Sequence, residues 1–261
     1  MSRVLEMVEV GRESAVSLAT FDCDRGISSG ELFADDFRFG PTTKTDDFIC
    51  WSIERFKGWR TGFTTSFGME GCALIDMYAR RGVSLEVTYF DTMFFFPETH
   101  ELIDRMRERY PKLSFVNRGT RLTAEQQAKQ YGPELWKSDP DLCCKLRKVE
   151  PLRALMQRTD IWISAIRRSQ SQTRARVEMV EWDPRWNLLK LNPLAFWDRT
   201  DVWRYVREND VPYNALHEQG YPTVGCTHCT KAVEGATPDQ YTRLGRWSGT
   251  DKTECGLHFA K

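Results

Sequence analysis

Apolar and polar positions along this chain follow a recurring order, a short apolar run and then an amphipathic stretch. Phe48, Ile49, Trp51, Ile53 and Phe56 fall at helical spacing, with Asp46 or Asp47 standing where an N-cap belongs. Gly62–Phe67 then reads as a strand stopped by Gly68, and Cys72–Arg81 as a helix closed by Gly82. A second strand, Val83–Phe90, ends in Asp91-Thr92; Pro97–Tyr110 follows as a helix with Leu102, Ile103 and Met106 on one face. Leu113–Val116 is a third strand, Thr123–Tyr131 and Cys143–Arg158 are helices, Ile161–Ile166 is a fourth strand and Leu188–Leu191 a fifth. Such alternation predicts β-α-β crossovers, hence an α/β fold with a mostly parallel sheet and helices on both faces. Ligands of such sheets bind beyond the carboxyl ends of the strands.

The flanks differ from this middle. Residues 1–45 carry little pattern: Val4–Leu18 fits a helix, Gly26–Lys44 reads as loop, and no role is assigned. Residues 46–215 form the expected nucleotide-binding α/β domain. After Asp198, a helix N-cap, and the helix Asp201–Glu208, residues 216–261 read as a C-terminal extension laid over the sheet. At 261 residues the chain can bury a core without staples. Its 37 Lys+Arg equal its 37 Asp+Glu, so the balance points to neither nucleic acid nor an anionic membrane. No apolar run approaches the roughly 20 residues of a membrane span, and Met1–Ala19 has no signal-peptide core, so a cytoplasmic location is expected. In that reducing setting the eight cysteines are ligands or reactive thiols before they are disulfides.

Three strand ends carry residues suited to an anion. Ser66 and Gly68 lie between a strand and a helix, where backbone N–H groups face a phosphate. Asp91 and Thr92 end the next strand. Ile166–Arg174 follows another with three arginines, Arg167, Arg168 and Arg174, whose guanidinium forks suit phosphate or sulfate. The first loop lacks the G-x-x-x-x-G-K of a Walker loop, which disfavours a P-loop ATPase.

The cysteines fall into two settings. Cys143-Cys144 and Cys226-x-x-Cys229 make two pairs, a donor set for tetrahedral zinc or for a four-cysteine iron–sulfur cluster, with zinc the simpler reading of spacing alone. Lys145, Arg147 and Lys148 offset the thiolate charge. Cys255 stands apart in a glycine-rich tail, close to Arg243, Arg246, Lys252 and His258, a setting that favours a reactive thiolate. Arg243 and Arg246, three apart, share a face if that stretch is helical and suit an anion clamp. Cys23, Cys50 and Cys72 read as small buried hydrophobes.

Together these segments resemble the APS/PAPS reductase family, the sulfonucleotide reductases, in its iron–sulfur, adenylyl-sulfate branch. The likeness runs from about Thr64 to His258. Ser66-Phe67-Gly68 is similar to the family's phosphate loop, and Asp91-Thr92 with Phe96-Pro97-Glu98-Thr99 to its D-T-G-x-x-F-P-E-T. Cys143–Leu152 is similar to C-C-x-x-R-K-x-x-P-L, and Ile166–Arg174 to I-R-R-D-Q-S-x-T-R. The most specific match is the tail, Gly245-Arg246-Trp247 followed by Lys252-x-Glu254-Cys255-Gly256-Leu257-His258.

The resemblance implies an adenine nucleotide α-hydrolase-like fold and a 4Fe-4S cluster on Cys143, Cys144, Cys226 and Cys229. It implies Cys255 as the catalytic nucleophile, with Ser66, Gly68, Asp91, Thr92, Lys148, Arg167, Arg168, Arg243, Arg246 and His258 at the substrate. The reaction implied is thioredoxin-dependent reduction of adenosine 5′-phosphosulfate (APS) to sulfite and AMP through a cysteine S-sulfonate, in assimilatory sulfate reduction. The expected partners are APS, thioredoxin or a glutaredoxin-like reductant and further copies of the chain in a homo-oligomer, with no nucleic acid and no membrane. Keeping both cysteine pairs goes with APS over its 3′-phosphorylated form, PAPS. The alternatives are a PAPS reductase, an ATP pyrophosphatase of the same fold acting in thiolation, and a non-catalytic zinc-stabilised binding protein. Three positions depart from the pattern: Met93 replaces a glycine and is expected to alter the nucleotide pocket, Ser169 replaces Asp, and Gly71 stands where an acidic residue often follows Glu70.

Overall fold

The computed structural model describes residues 39–237 and 243–258, so the expectations for Val4–Leu18 and Cys23 lie outside the described residues. Helix α1 (Thr45–Arg55) leads into β1 (Thr61–Thr65), α2 (Met69–Arg80), β2 (Glu86–Tyr89), α3 (Pro97–Arg109) and β3 (Ser114–Asn117). Then come α4 (Ala124–Tyr131), α5 (Leu135–Ser138), α6 (Pro140–Cys144), a π-helical turn (Lys145–Val149), α7 (Glu150–Met156) and β4 (Ile161–Ile163). The chain continues through β5 (Val180–Asp183), β6 (Leu188–Leu191) and α8 (Arg199–Glu208). The six strands form one sheet in the order β3-β2-β1-β4-β6-β5, parallel except for β5 on β6. From β1 the connections run outward to β2 and β3, and from β4 outward to β6 on the other side. The order therefore reverses between β1 and β4, the switch point at which such sheets open a crevice at their carboxyl edge.

Side-chain alternation sets the two faces. In β4, Ile161 and Ile163 join the main core with Phe63, Val87 and Leu191, while Trp162 points the other way. The main core is covered by α1, α2, α3 and α8, and α2 is buried along Met69–Tyr78. The opposite face carries a smaller core of Phe90, Leu152, Met156, Trp162 and Leu188, with Leu257 of the tail packed on it. Burial of both faces explains why the strands read as apolar runs.

Local physics fixes the loop after β1. Phe67 is buried in a left-handed conformation (φ 55°), and its N–H donates to Thr65 Oγ1 at 2.9 Å. A Cβ on Gly71 would lie 2.3 Å from Thr65 Oγ1, so α2 can press onto the end of β1 only with glycine there. This close approach accounts for Gly71 in place of an acidic residue. Asp198 caps α8 as its sequence suggests, accepting from Asp201 N–H at 2.8 Å, whereas the residue before α1 is Lys44, without a side-chain cap. Cys72 is fully buried; Cys50, also buried, is disulfide-bonded, which corrects its reading as a lone apolar thiol. Among the described residues no helix is long and apolar enough to cross a membrane.

Candidate active site

The carboxyl ends of β1, β2 and β4 surround a cavity of about 180 Å³. Its walls include Thr64–Ser66, Gly68, Glu70 and Gly71 from the first turn, Phe90 and Phe95 after β2, and Ala165 and Ile166 after β4. The C-terminal segment closes it with Cys255, Leu257 and His258. Six of the residues expected to be the nucleophile or to hold the substrate meet here: Ser66, Gly68, Lys148, Arg243, Cys255 and His258.

Other candidates lie around the cavity without lining it. Asp91 accepts the Met93 N–H at 2.7 Å and lies 4.0 Å from His100 Nε2. Thr92 is buried beside the cysteines, its Oγ1 3.2 Å from Cys226 Sγ and its carbonyl accepting from Arg147 Nη1 at 2.7 Å. Arg167 is fully buried and donates to Glu70 Oε1 at 2.6 and 3.1 Å, with Ser169 Oγ accepting a further bond at 2.5 Å. Arg168 donates to the Val177 carbonyl at 2.6 Å, pairs with Glu178 and lies 4.2 Å from the Phe196 ring centroid. Arg246 stacks on Trp247 at 4.4 Å, donates to the Cys229 carbonyl at 3.2 Å and backs onto Gly225, a cavity residue. Met93 has φ 59°, which explains why glycine suits that position; its side chain is 51% exposed and does not line the cavity.

Sequence reasoning did not single out Trp162, Glu254 or, beyond its motif, Arg174. Arg174 lines the cavity beside Gln170, which accepts from it. Its Nε and Nη2 donate to Glu254 at 3.1 and 2.8 Å, and Ser171 and Thr173 hydroxyls reach the same carboxylate at 3.0 and 3.2 Å. Arg243 Nη2 lies 3.6 Å from it. The residue before Cys255 is thus moored to the loop after β4. His258 stacks on Trp162, centroids 5.2 Å apart at 6°, and Trp162 Nε1 donates to Thr64 Oγ1 at 2.8 Å.

The electrostatics separate Cys255 from the other cysteines. Burial alone raises its thiol pKa, but the Lys148 charge, a hydrogen bond from Leu257 N–H and the Arg174 charge outweigh it, and the net shift is downward. His258 is held neutral, its pKa well below the usual value, by burial and by Lys190, Arg174, Arg185 and Arg243. Burial and neighbouring thiolates push Cys143 up to about 11; burial and Cys226 do the same for Cys229. Lys148 is shifted upward: burial opposes its charge, and Cys226, Cys144 and Cys255 overcome that opposition.

Cys143, Cys144 and Cys226 are buried and Cys229 half-buried, all free thiols in mutual electrostatic reach. The π-helical turn makes this compatible with Lys148 facing both groups, since its wider winding resets the helix face after Cys144. Among the described residues no group of three or more His, Cys, Asp or Glu side chains has the geometry of a single bound ion. Four soft thiol donors with the Lys148 ammonium beside them nonetheless fit, in chemistry and net charge, a centre larger than one ion.

A doubly wound sheet with its crevice at the β1/β4 switch point defines an α/β protein of the adenine nucleotide α-hydrolase-like class. The solved Candida glabrata FMN adenylyltransferase with FMN and an ATP analogue shares that fold, with TM-score 0.51 and 16% identity over 82% of this chain and 72% of its own. A finer match comes from the phosphoadenosine phosphosulfate reductase domain, whose family model covers residues 60–232; the chain belongs to that family. The chain is 47% identical over 212 residues to the adenosine 5′-phosphosulfate reductase of Lysinibacillus sphaericus, covering 81% of this chain and 89% of that protein. It is 44% identical over 214 residues to the Geobacillus kaustophilus protein of the same name, covering 82% and 89%. The phosphoadenylyl-sulfate reductase of Candida auris, solved as a phosphate complex, superposes with TM-score 0.63 at 28% identity, over 74% of this chain and 91% of its own.

Proposed function

We propose that this chain reduces adenosine 5′-phosphosulfate to sulfite and AMP, with Cys255 as nucleophile and thioredoxin, or a glutaredoxin-like dithiol, as reductant. The observation that carries the reading is the seat of Cys255: a thiol shifted towards thiolate at the mouth of a cavity whose opposite wall is an anion-compatible helix N-terminus. Relatives named for APS at 42–47% identity support that substrate over its 3′-phosphorylated form.

The chemistry follows from these groups. Ser66, Gly68 and the start of α2 receive the nucleotide phosphate, and Lys148, Arg174 and Arg243 stand at the sulfonyl end. The Cys255 thiolate attacks the sulfonyl sulfur, the S–O bond breaks, and AMP leaves with the electron pair. Cys255 is then an S-sulfonate. A thioredoxin thiolate attacks the Cys255 sulfur, sulfite departs, and a mixed disulfide forms. The second thioredoxin thiol resolves it, so the dithiol supplies two electrons and Cys255 returns as thiolate. The His258 ring, held neutral, shelves the tail on Trp162.

Cys143, Cys144, Cys226 and Cys229 are the residues that would hold a 4Fe-4S cluster. Such a cluster, when bound, supplies a compact cross-link between α6 and the 226–229 turn. The buried thiols must lose protons to bind it, and Lys148 and Arg147 supply positive charge beside them.

Intact-protein and peptide mass spectrometry after anaerobic mixing with APS, and separately PAPS, without thioredoxin tests the reading. A single sulfonate on Cys255 from APS is expected, and an adduct from PAPS alone would move the substrate to the 3′-phosphorylated nucleotide. Absence of an adduct from both, on protein that retains its iron, would overturn the nucleophile. Cys255→Ser should bind nucleotide and release no sulfite.

A further inference from the structure

The β5–β6 hairpin belongs to none of the motifs read in the sequence, yet it touches the tail. Arg185 lies in its turn, and Asp183 fixes the guanidinium, Nε to Oδ1 at 3.0 Å and Nη2 to Oδ2 at 2.6 Å. The same Nη2 donates to the His258 carbonyl at 2.6 Å and reaches the Leu257 carbonyl at 3.4 Å. Gly256, with φ 82°, turns the chain sharply between Cys255 and Leu257. Arg185 itself does not line the cavity.

Cys255 is thus held on both sides. Upstream, Glu254 is moored by Arg174, Ser171 and Thr173. Downstream, the His258 ring rests on Trp162 and Leu257 on the small core, and Arg185 is the charged donor that grips the backbone. Those ring and apolar contacts leave the backbone free to slide over Trp162. A charge-assisted bond to two successive carbonyls sets where it stops.

We propose that Arg185, braced by Asp183, is a positioning residue for the thiol. By gripping the Leu257 and His258 carbonyls it seats residues 255–258 and so holds the Cys255 thiol at the cavity. The proposal rests on the reading of Cys255 as the nucleophile and adds to it a residue in a distant hairpin.

The test is the rate of Cys255 alkylation by iodoacetamide against pH, read by peptide mass spectrometry on the iron-loaded enzyme without nucleotide. Losing a charge-assisted bond is expected to raise the high-pH plateau about tenfold in Arg185→Ala, as the segment leaves its seat more often. The midpoint of the profile should move to higher pH, because the displaced thiol spends less time in the field of Lys148 and Arg174. Arg185→Lys, which can reach one carbonyl, should fall between the two, and kcat should drop with KM for APS unchanged. If the alanine variant does not fold, Arg185→Lys and Arg185→Gln carry the same comparison. Plateau and midpoint both equal to those of the parent would overturn the proposal. Alkylation needs no substrate, so that failure is distinct from a missing sulfonate adduct, which would overturn the nucleophile instead.

Discussion

Glu70 offers the sharpest check on the electrostatics of the cavity wall. Burial pushes its carboxyl up, but the charges of Arg167 and Arg199, 2.6 and 3.5 Å away, and the Arg167 hydrogen bonds bring it down to about 2. A pKa lower in the folded than in the unfolded chain contributes stability that is full above the unfolded value and is lost as pH falls through the folded one. With 4.5 unfolded and about 2 folded, that contribution is roughly 3 kcal/mol at pH 7. About 1 kcal/mol of it is gone by pH 3.5, and about 2 kcal/mol by pH 3. Glu70→Gln removes the titration and leaves Arg167 and Arg199 without their carboxylate. Urea unfolding at pH 7, 5, 4, 3.5 and 3 should show the parent ahead at neutral pH and the gap closing below pH 4.5. Parallel pH profiles for the two proteins would refute the assigned ion pair.

Met93→Gly should stabilise the protein by about 1 kcal/mol, since a left-handed non-glycine residue costs slightly more than glycine's extra unfolded freedom and the exposed side chain gives up little packing. Differential scanning calorimetry would read this as a Tm higher by about 2–4 °C, and a lower Tm would refute it. Cys229→Ser should lose iron and the brown absorbance; parent protein carrying zinc in place of iron would overturn the cluster assignment.

How much the sequence disclosed depended on whether a signal was local. Ile161-Trp162-Ile163 and Leu188–Leu191 announced buried strands because both of their faces are covered. Val180-Glu181-Trp182-Asp183 did not, because an antiparallel edge strand is only half covered and carries charge. The stretch Cys143–Arg158 looked like one helix, and its π-helical turn is invisible to periodicity because both windings place apolar residues similarly over one turn. The cysteines and the Glu254-Cys255-Gly256 tail were legible by type. Which arginine meets the cavity was not: Arg167, Arg168 and Arg174 share one loop, yet Arg167 goes under α2 to Glu70, Arg168 packs outward on Phe196, and Arg174 faces in. That choice is made by the φ and ψ of two short 3₁₀ turns, Arg168–Gln170 and Gln172–Arg174, and by distant Glu254.

The π-helical turn has a consequence for how the two halves of the site communicate. Its extra winding leaves one ammonium, that of Lys148, within the field of Cys144, Cys226 and Cys255 at once. Two thiol centres therefore share one of their cations. Negative charge gathered at the four-cysteine side lessens the attraction left for the nucleophile, and charge withdrawn there increases it. The reactivity of Cys255 is in that sense a gauge of the state of its neighbours, read without any atom having to move.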